Sequence, residues 1–300
     1  MNDRRLRTLL EGGAFFESPR WHDGRWWVSD FYRHLVVAVD ADGRTEEILT
    51  VEGQPSGLGW MPDGSLLVVS MRDRRILRWS GDGNASVHAD VAAHCDGHLN
   101  DMVVDGHGRA YAGNFGFDLM AGADPAPAAL VRVAPDGTAS VAAEDLLFPN
   151  GSVITPDGRT LIVGETAGAR YTAFTIQADG SLADRRIWAQ VAPTPEFTTF
   201  AETLARLRFG PDGCALDAEG HIWAADEVGA RCVRLAPGGE IVDEIAAPEG
   251  LDCFACMLGG ADGRTLLMCA APDFFEHNRM AAREGVLLTT TVDVPHAGLP

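Results

Sequence analysis

The 300-residue chain is short of positive charge, with 24 basic against 43 acidic residues and a formal charge of −19. Such a field repels phosphate backbones and anionic lipid, which excludes nucleic acid and membrane surfaces as partners. No stretch reaches the roughly 18 uninterrupted apolar residues of a bilayer-spanning helix. From Met1 to Glu11 the chain is polar and basic and lacks the apolar core of a signal sequence, so it reads as a cytoplasmic start. Six cysteines are too sparse for a disulfide scaffold, and reduced buried thiols are expected. Cys253-Phe-Ala-Cys256 has zinc or redox spacing but no second pair and no βαβ context. Also missing are a Gly-x-Ser-x-Gly elbow, a Gly-x-Gly-x-x-Gly turn in a βαβ unit and a phosphate-binding Gly-Lys-Ser/Thr loop. Serine-hydrolase and nucleotide chemistry on α/β folds are therefore excluded. What remains, 46% hydrophobic and 22% charged, is the composition of a globular chain.

What the sequence has in abundance is turns. Asp-Gly pairs stand at Asp23-Gly24, Asp42-Gly43, Asp63-Gly64, Asp82-Gly83, Asp136-Gly137, Asp157-Gly158, Asp179-Gly180, Asp212-Gly213 and Asp262-Gly263, with variants at Gly106-His-Gly108, Glu219-Gly220 and Gly238-Gly239. Glycine supplies the positive φ of tight hairpins and Asp bonds its own backbone, so each pair predicts a hairpin. Runs rich in β-formers follow them, such as Arg25-Trp-Trp-Val-Ser29 and Ser65-Leu-Leu-Val-Val-Ser70. Taken one per repeat, Gly24, Gly64, Gly108, Gly158, Gly220 and Gly263 are 40, 44, 50, 62 and 43 residues apart, close to the roughly 40 to 50 residues of a propeller blade. The reading is an all-β, six-bladed β-propeller with four antiparallel strands per blade, one domain over residues 1–300. The long interval places a short inserted helix or lid near residues 183–208, carrying Phe197, Phe200 and Leu204. A second irregular insert runs from Gly113 to Pro127. Both are long enough to overhang a pocket or to be blade-edge excursions without a role.

Polar residues break the apolar repeat where inner strands begin. Glu17, Asn100, Asn150 and Asp212 come from four different blades, and together they offer an oxygen-rich set suited to Ca²⁺, Mg²⁺ or Mn²⁺, or to Zn²⁺ with fewer ligands. Taken singly, Asn150-Gly151 and Asp212-Gly213 are ordinary turn dipeptides, and Glu17 before Ser-Pro reads as a cap. Their recurrence at equivalent places favours a shared site. His94-Cys-Asp-Gly-His98 is a rival, with two imidazoles four residues apart, but Asp-Gly interrupts any helix there.

With Glu17-Ser-Pro-Arg-Trp21, Leu99-Asn-Asp101, Pro149-Asn-Gly151, Pro211-Asp-Gly213 and the closing Val292-Asp-Val-Pro-His-Ala-Gly-Leu-Pro300, nearly the whole chain resembles the senescence-marker-protein/gluconolactonase/luciferin-regenerating-enzyme family of six-bladed propellers. The resemblance implies a single divalent cation held through Glu17, Asn150 and Asp212, with Asn100 reaching metal or substrate, and hydrolysis of a small lactone. It implies Asp212 as the base that takes a proton from water, with Asp101 a second candidate; an amide such as Asn100 cannot serve. In the sugar-lactonase members an arginine commonly stands where this chain has His98, so His98 is the expected substrate contact and the sugar is left open. Two rival functions share the architecture: a diisopropylfluorophosphatase-like phosphotriesterase and a non-catalytic metal-binding scaffold.

Overall fold

The computed structural model describes residues 4–298, so Leu299 and Pro300 of the closing motif lie outside the described residues, as do Met1 to Asp3. Six four-stranded antiparallel sheets stand around an axis, each running in sequence order from an inner to an outer strand. The inner strands are Phe16–His22, Pro55–Trp60, Leu99–Val104, Pro149–Ile154, Pro211–Leu216 and Asp252–Gly259, for blades 1 to 6. Blade 6 is the exception to chain order, because its outermost strand is Arg7–Gly13, paired antiparallel with Gly285–Thr291. This pairing closes the ring and covers an edge that would otherwise offer unpaired backbone groups. Inner and second strands are buried almost throughout, as in Pro149–Ile154 and Thr160–Glu165, while the outer strand Leu182–Gln190 is largely exposed. Strands packed between neighbouring blades are apolar on both faces, and those at the rim need not be. Among the described residues no helix is long and apolar enough to cross a membrane.

The meander sorts the connections by end. Hairpins joining first to second and third to fourth strands fall at one end of the ring, and the turn pairs at 23–24, 63–64, 157–158 and 262–263 all belong there. Asp212-Gly213 does not, since it lies within the inner strand of blade 5. Its glycine answers a close approach between blades: a Cβ on Gly213 would stand 2.5 Å from the Ala255 Cβ, and one on Gly151 would stand 2.3 Å from the Asp212 carbonyl oxygen. Asn150-Gly151 and Asp212-Gly213 look like turns in sequence and are instead the points where inner strands crowd each other.

The long connections emerge at the opposite end. Residues 115–127 join the second and third strands of blade 3. The expected insert near 183–208 is divided: Leu182–Gln190 is the outer strand of blade 4, and only Phe200–Arg206 is helical. The strand alternates too weakly to be seen against an exposed rim. The helix is marked by Thr199, whose side chain accepts the Glu202 N–H at 3.4 Å. A third excursion between the second and third strands of blade 6 carries the short helix Glu276–Arg279.

Three buried carboxylates fix how the chain enters its inner strands. Asp30, Glu165 and Asp226 end the second strands of blades 1, 4 and 5, and their side chains have no exposed surface. Asp30 accepts the Ala14 and Phe15 N–H groups, each at 3.1 Å, Glu165 accepts that of Leu147 at 2.8 Å, and Asp226 accepts that of Gly210 at 3.1 Å. An arginine faces each: Arg33 at 3.8 Å, Arg170 at 2.8 Å and Arg231 at 3.1 Å. Removing one side of a buried charged pair costs about 3 kcal/mol or more. We therefore expect Asp226→Ala to lower unfolding free energy by about 3 kcal/mol in a urea titration and Asp226→Asn to cost less. A loss within about 0.5 kcal/mol for the alanine variant would refute the pinning role.

Candidate functional site

Glu17, Asn100, Asn150 and Asp212 are each the second residue of an inner strand, at the end of the ring from which the long connections emerge. In each strand the register slips just after the polar residue, so the backbone bulges there and opens the strand start towards the axis. Ser56 and Cys253 complete the same row in blades 2 and 6. All four side chains are buried and line the floor of one cavity.

The floor is hydrogen-bonded along an arc. Ser56 Oγ donates to Asn100 Oδ1 at 3.3 Å, Asn100 Nδ2 to Asn150 Oδ1 at 3.0 Å, Asn150 Nδ2 to Thr166 Oγ1 at 3.1 Å, and Thr166 Oγ1 to the Pro211 carbonyl at 2.7 Å. The arc orients both amide oxygens and leaves each a free lone pair. Among the described residues Glu17 accepts one hydrogen bond, from the Ser18 N–H at 2.8 Å. Ser18 has φ +49°, an unfavourable value for a residue with a side chain. Among the described residues the Asp212 carboxylate accepts no hydrogen bond. Burial pushes the Glu17 and Asp212 carboxyls well above the usual carboxylate range; Asp101 and Glu227 push Glu17 further, and Glu17 and Glu227 do the same to Asp212.

Two acids sit close in an apolar enclosure with few donors. A divalent cation fits this donor set: it would balance both negative charges, and the amide oxygens are turned towards the same floor. Glu17, Asn150 and Asp212 would hold it, with Asn100 beside them. Among the described residues no three His, Cys, Asp or Glu side chains are grouped to hold a metal, so His94-Cys-Asp-Gly-His98 does not form the rival centre. All six cysteines are free and buried.

Asp101, considered as a second base, is engaged elsewhere. Its Oδ1 accepts Arg20 Nη2 at 2.8 Å and the Met102 N–H at 2.8 Å, with both charged side chains about 5% exposed. Arg20 also donates to the Leu58 and Met102 carbonyls, so this pair braces blades 1, 2 and 3 below the cavity. His98 stands behind the wall, its ring 5.9 Å from that of Phe115, which does line the cavity. Burial lowers the His98 pKa, so the ring is neutral near pH 7.

Two floor residues escape a reading of sequence alone. Thr166 and Glu227 each follow the carboxylate that ends a second strand, and Phe31 and Phe115 occupy the same place in blades 1 and 3. Only that equivalence, known once the strands are placed, marks them. Burial, with Asp226 and Asp252 nearby, raises Glu227 to about 8.

Residues 15–272 match the model of the SMP-30/Gluconolactonase/LRE-like region. The chain is 29% identical to a 6-deoxy-6-sulfogluconolactonase of Pseudomonas putida over 67% of its own length and 64% of that protein's, a little under two thirds of the relative. It is 24% identical to the pentonolactonase XacC of Haloferax volcanii, covering 77% of this chain and 73% of that one. A solved structure of the calcium-binding protein regucalcin from Agrobacterium tumefaciens shares the fold, with a TM-score of 0.79 at 20% identity over 99% of this chain and 97% of that one.

The raised carboxyls give a test that needs no substrate. Protons held by Glu17 and Asp212 in the folded, cation-free protein stabilise it at low pH, and this contribution is lost as pH rises through their raised pKa values. A cation binds only the ionised acids, so it restores more stability at high pH than at low. After chelation, calcium should raise Tm more at about pH 8 than at about pH 5 in a thermal-shift experiment. Equal rises at both values would show that these acids do not hold the ion.

Proposed function

Because the chain belongs to the SMP-30/gluconolactonase/LRE-like family, we propose that it is a divalent-metal-dependent lactonase that opens a small cyclic ester on the floor formed by Glu17, Asn100, Asn150 and Asp212. The observation that carries this reading is the pair of buried acids Glu17 and Asp212 on one cavity floor, of which Asp212 accepts no hydrogen bond among the described residues. The relatives named as lactonases support the reaction class. Oxygen donors alone favour a hard cation, Ca²⁺, Mg²⁺ or Mn²⁺, over Zn²⁺.

When bound, the cation supplies positive charge that polarises the ester carbonyl and makes water easier to deprotonate. The residues do the rest. Asp212, with no internal donor to occupy it, accepts the proton of the attacking water; Asp101 is committed to Arg20 and is not the base. Asn100, tied to Asn150 and Ser56, presents a fixed amide edge that orients the carbonyl. Apolar walls exclude bulk water, which strengthens each of these electrostatic contacts.

Turnover of γ- and δ-lactones should disappear on chelation and return with calcium, magnesium or manganese. Asp212→Asn should reduce kcat by about 100-fold or more, and Glu17→Gln should weaken the cation's stabilisation of the fold. Activity that survives exhaustive chelation would end the metal-dependent reading. A fluorophosphonate turned over faster than every lactone would move the site to the phosphotriesterase class, and retained metal binding without turnover of either would make it a scaffold.

A further inference from the structure

Resting on the lactonase reading, we propose that the substrate carries an aromatic or short alkyl substituent beside its lactone carbonyl, in place of the hydroxyl groups of a sugar lactone. The cavity encloses about 820 Å³ counting its open mouth and the solvent in it. Its polar lining is almost confined to the floor, in Glu17, Asn100, Asn150, Thr166, Asp212 and Glu227. Above that level the walls hold eight phenylalanines and Tyr32.

The few polar groups in the walls are already occupied. The Tyr32 hydroxyl donates to the Phe274 carbonyl at 2.7 Å, and the Thr203 hydroxyl accepts the Thr198 N–H at 3.1 Å. Among the described residues no arginine or histidine lines the cavity, and the chain has no lysine at all. A polyol entering here would leave its hydration shell with only the floor to replace it, and each unpaired hydroxyl would cost affinity. An apolar substituent loses nothing on entry and gains by burial.

The walls are built for flat or aliphatic groups. Phe115 and Phe148 stack with ring centroids 4.9 Å apart at 11°, forming a slab across blades 3 and 4. All three excursions contribute: Phe117 and Met120 from blade 3, Phe200 and Leu204 from the helix, and Phe274 from blade 6. Leu204 reaches the mouth and remains 36% exposed, although its helix neighbours Glu202 and Arg206 show that charge is tolerated there.

The calcium-loaded protein should be assayed with glucono-δ-lactone, unsubstituted δ-valerolactone and a phenyl-substituted γ-butyrolactone. The phenyl compound should exceed gluconolactone in kcat/KM by about 100-fold or more. Leu204→Ser, at an exposed position, should narrow that ratio by about tenfold through KM, and Phe200→Ser should do the same. A preference for gluconolactone, or a ratio that neither variant moves, overturns the inference while leaving the lactonase reading intact. If no lactone is hydrolysed, the lactonase reading fails by itself. The inference is then decided by titrating the non-hydrolysable phenyl-substituted γ-lactam in a calorimeter: binding with a negative heat-capacity change supports it, and no binding at millimolar ligand overturns it.

Discussion

Everything at the axis depends on how the chain is held as it enters an inner strand. In blades 1, 4 and 5 a fully buried carboxylate at the end of the second strand grips the backbone two to three residues before a floor residue: Asp30 before Glu17, Glu165 before Asn150, Asp226 before Asp212. A charge-assisted bond to a backbone N–H is short and directional, and burial makes any departure from it expensive. The arginine beside each acid pairs with it and caps it from the outside. The three side chains assigned to the cation are thus fixed by the peptide ahead of them, while each keeps an oxygen lone pair for a ligand.

That arrangement has an electrostatic consequence. Two acids are brought together where water is scarce, and the fold supplies no arginine to neutralise them; the nearest, Arg20, is spent on Asp101. With Glu17 and Asp212 ionised, as a bound cation would require, the floor has a deficit of two positive charges that a divalent ion would balance. The apolar walls above it belong to the same design: they keep the local dielectric low, so the deficit is felt strongly, and they leave the polar floor as the one place where a substrate carbonyl finds partners.

Much of this was legible in the residues. The spacing of Gly24, Gly64, Gly108, Gly158, Gly220 and Gly263 counts blades because each hairpin needs a positive φ or a tight turn at the same point of the repeat. Glu17, Asn100, Asn150 and Asp212 stand out because a polar residue at a buried repeat position is unusual. Of the apolar insert residues Phe197, Phe200 and Leu204, the structure seats Phe200 and Leu204 on the cavity and leaves Phe197 off its lining. Asp101 and His98 illustrate the limit. Asp101 follows Asn100 directly and side chains alternate along a strand, so it turns to Arg20; His98 stands just before the strand begins and lies behind Phe115.

The sequence by itself determined the repeat, the number of blades, the one end of the ring where the turns fall, and the four polar positions, because all of these are written in local periodicity and turn chemistry. The tertiary structure alone decided which glycines make turns and which make room: Gly151 and Gly213 belong to the second kind, since only the neighbouring blade forbids a Cβ there. It also decided ring closure by Arg7–Gly13, the choice of Thr166 and Glu227 for the floor, and the pairing of Arg20 with Asp101. These depend on contacts between segments tens to hundreds of residues apart. No local pattern carries that information, because the partner is chosen by the packing of one blade against the next.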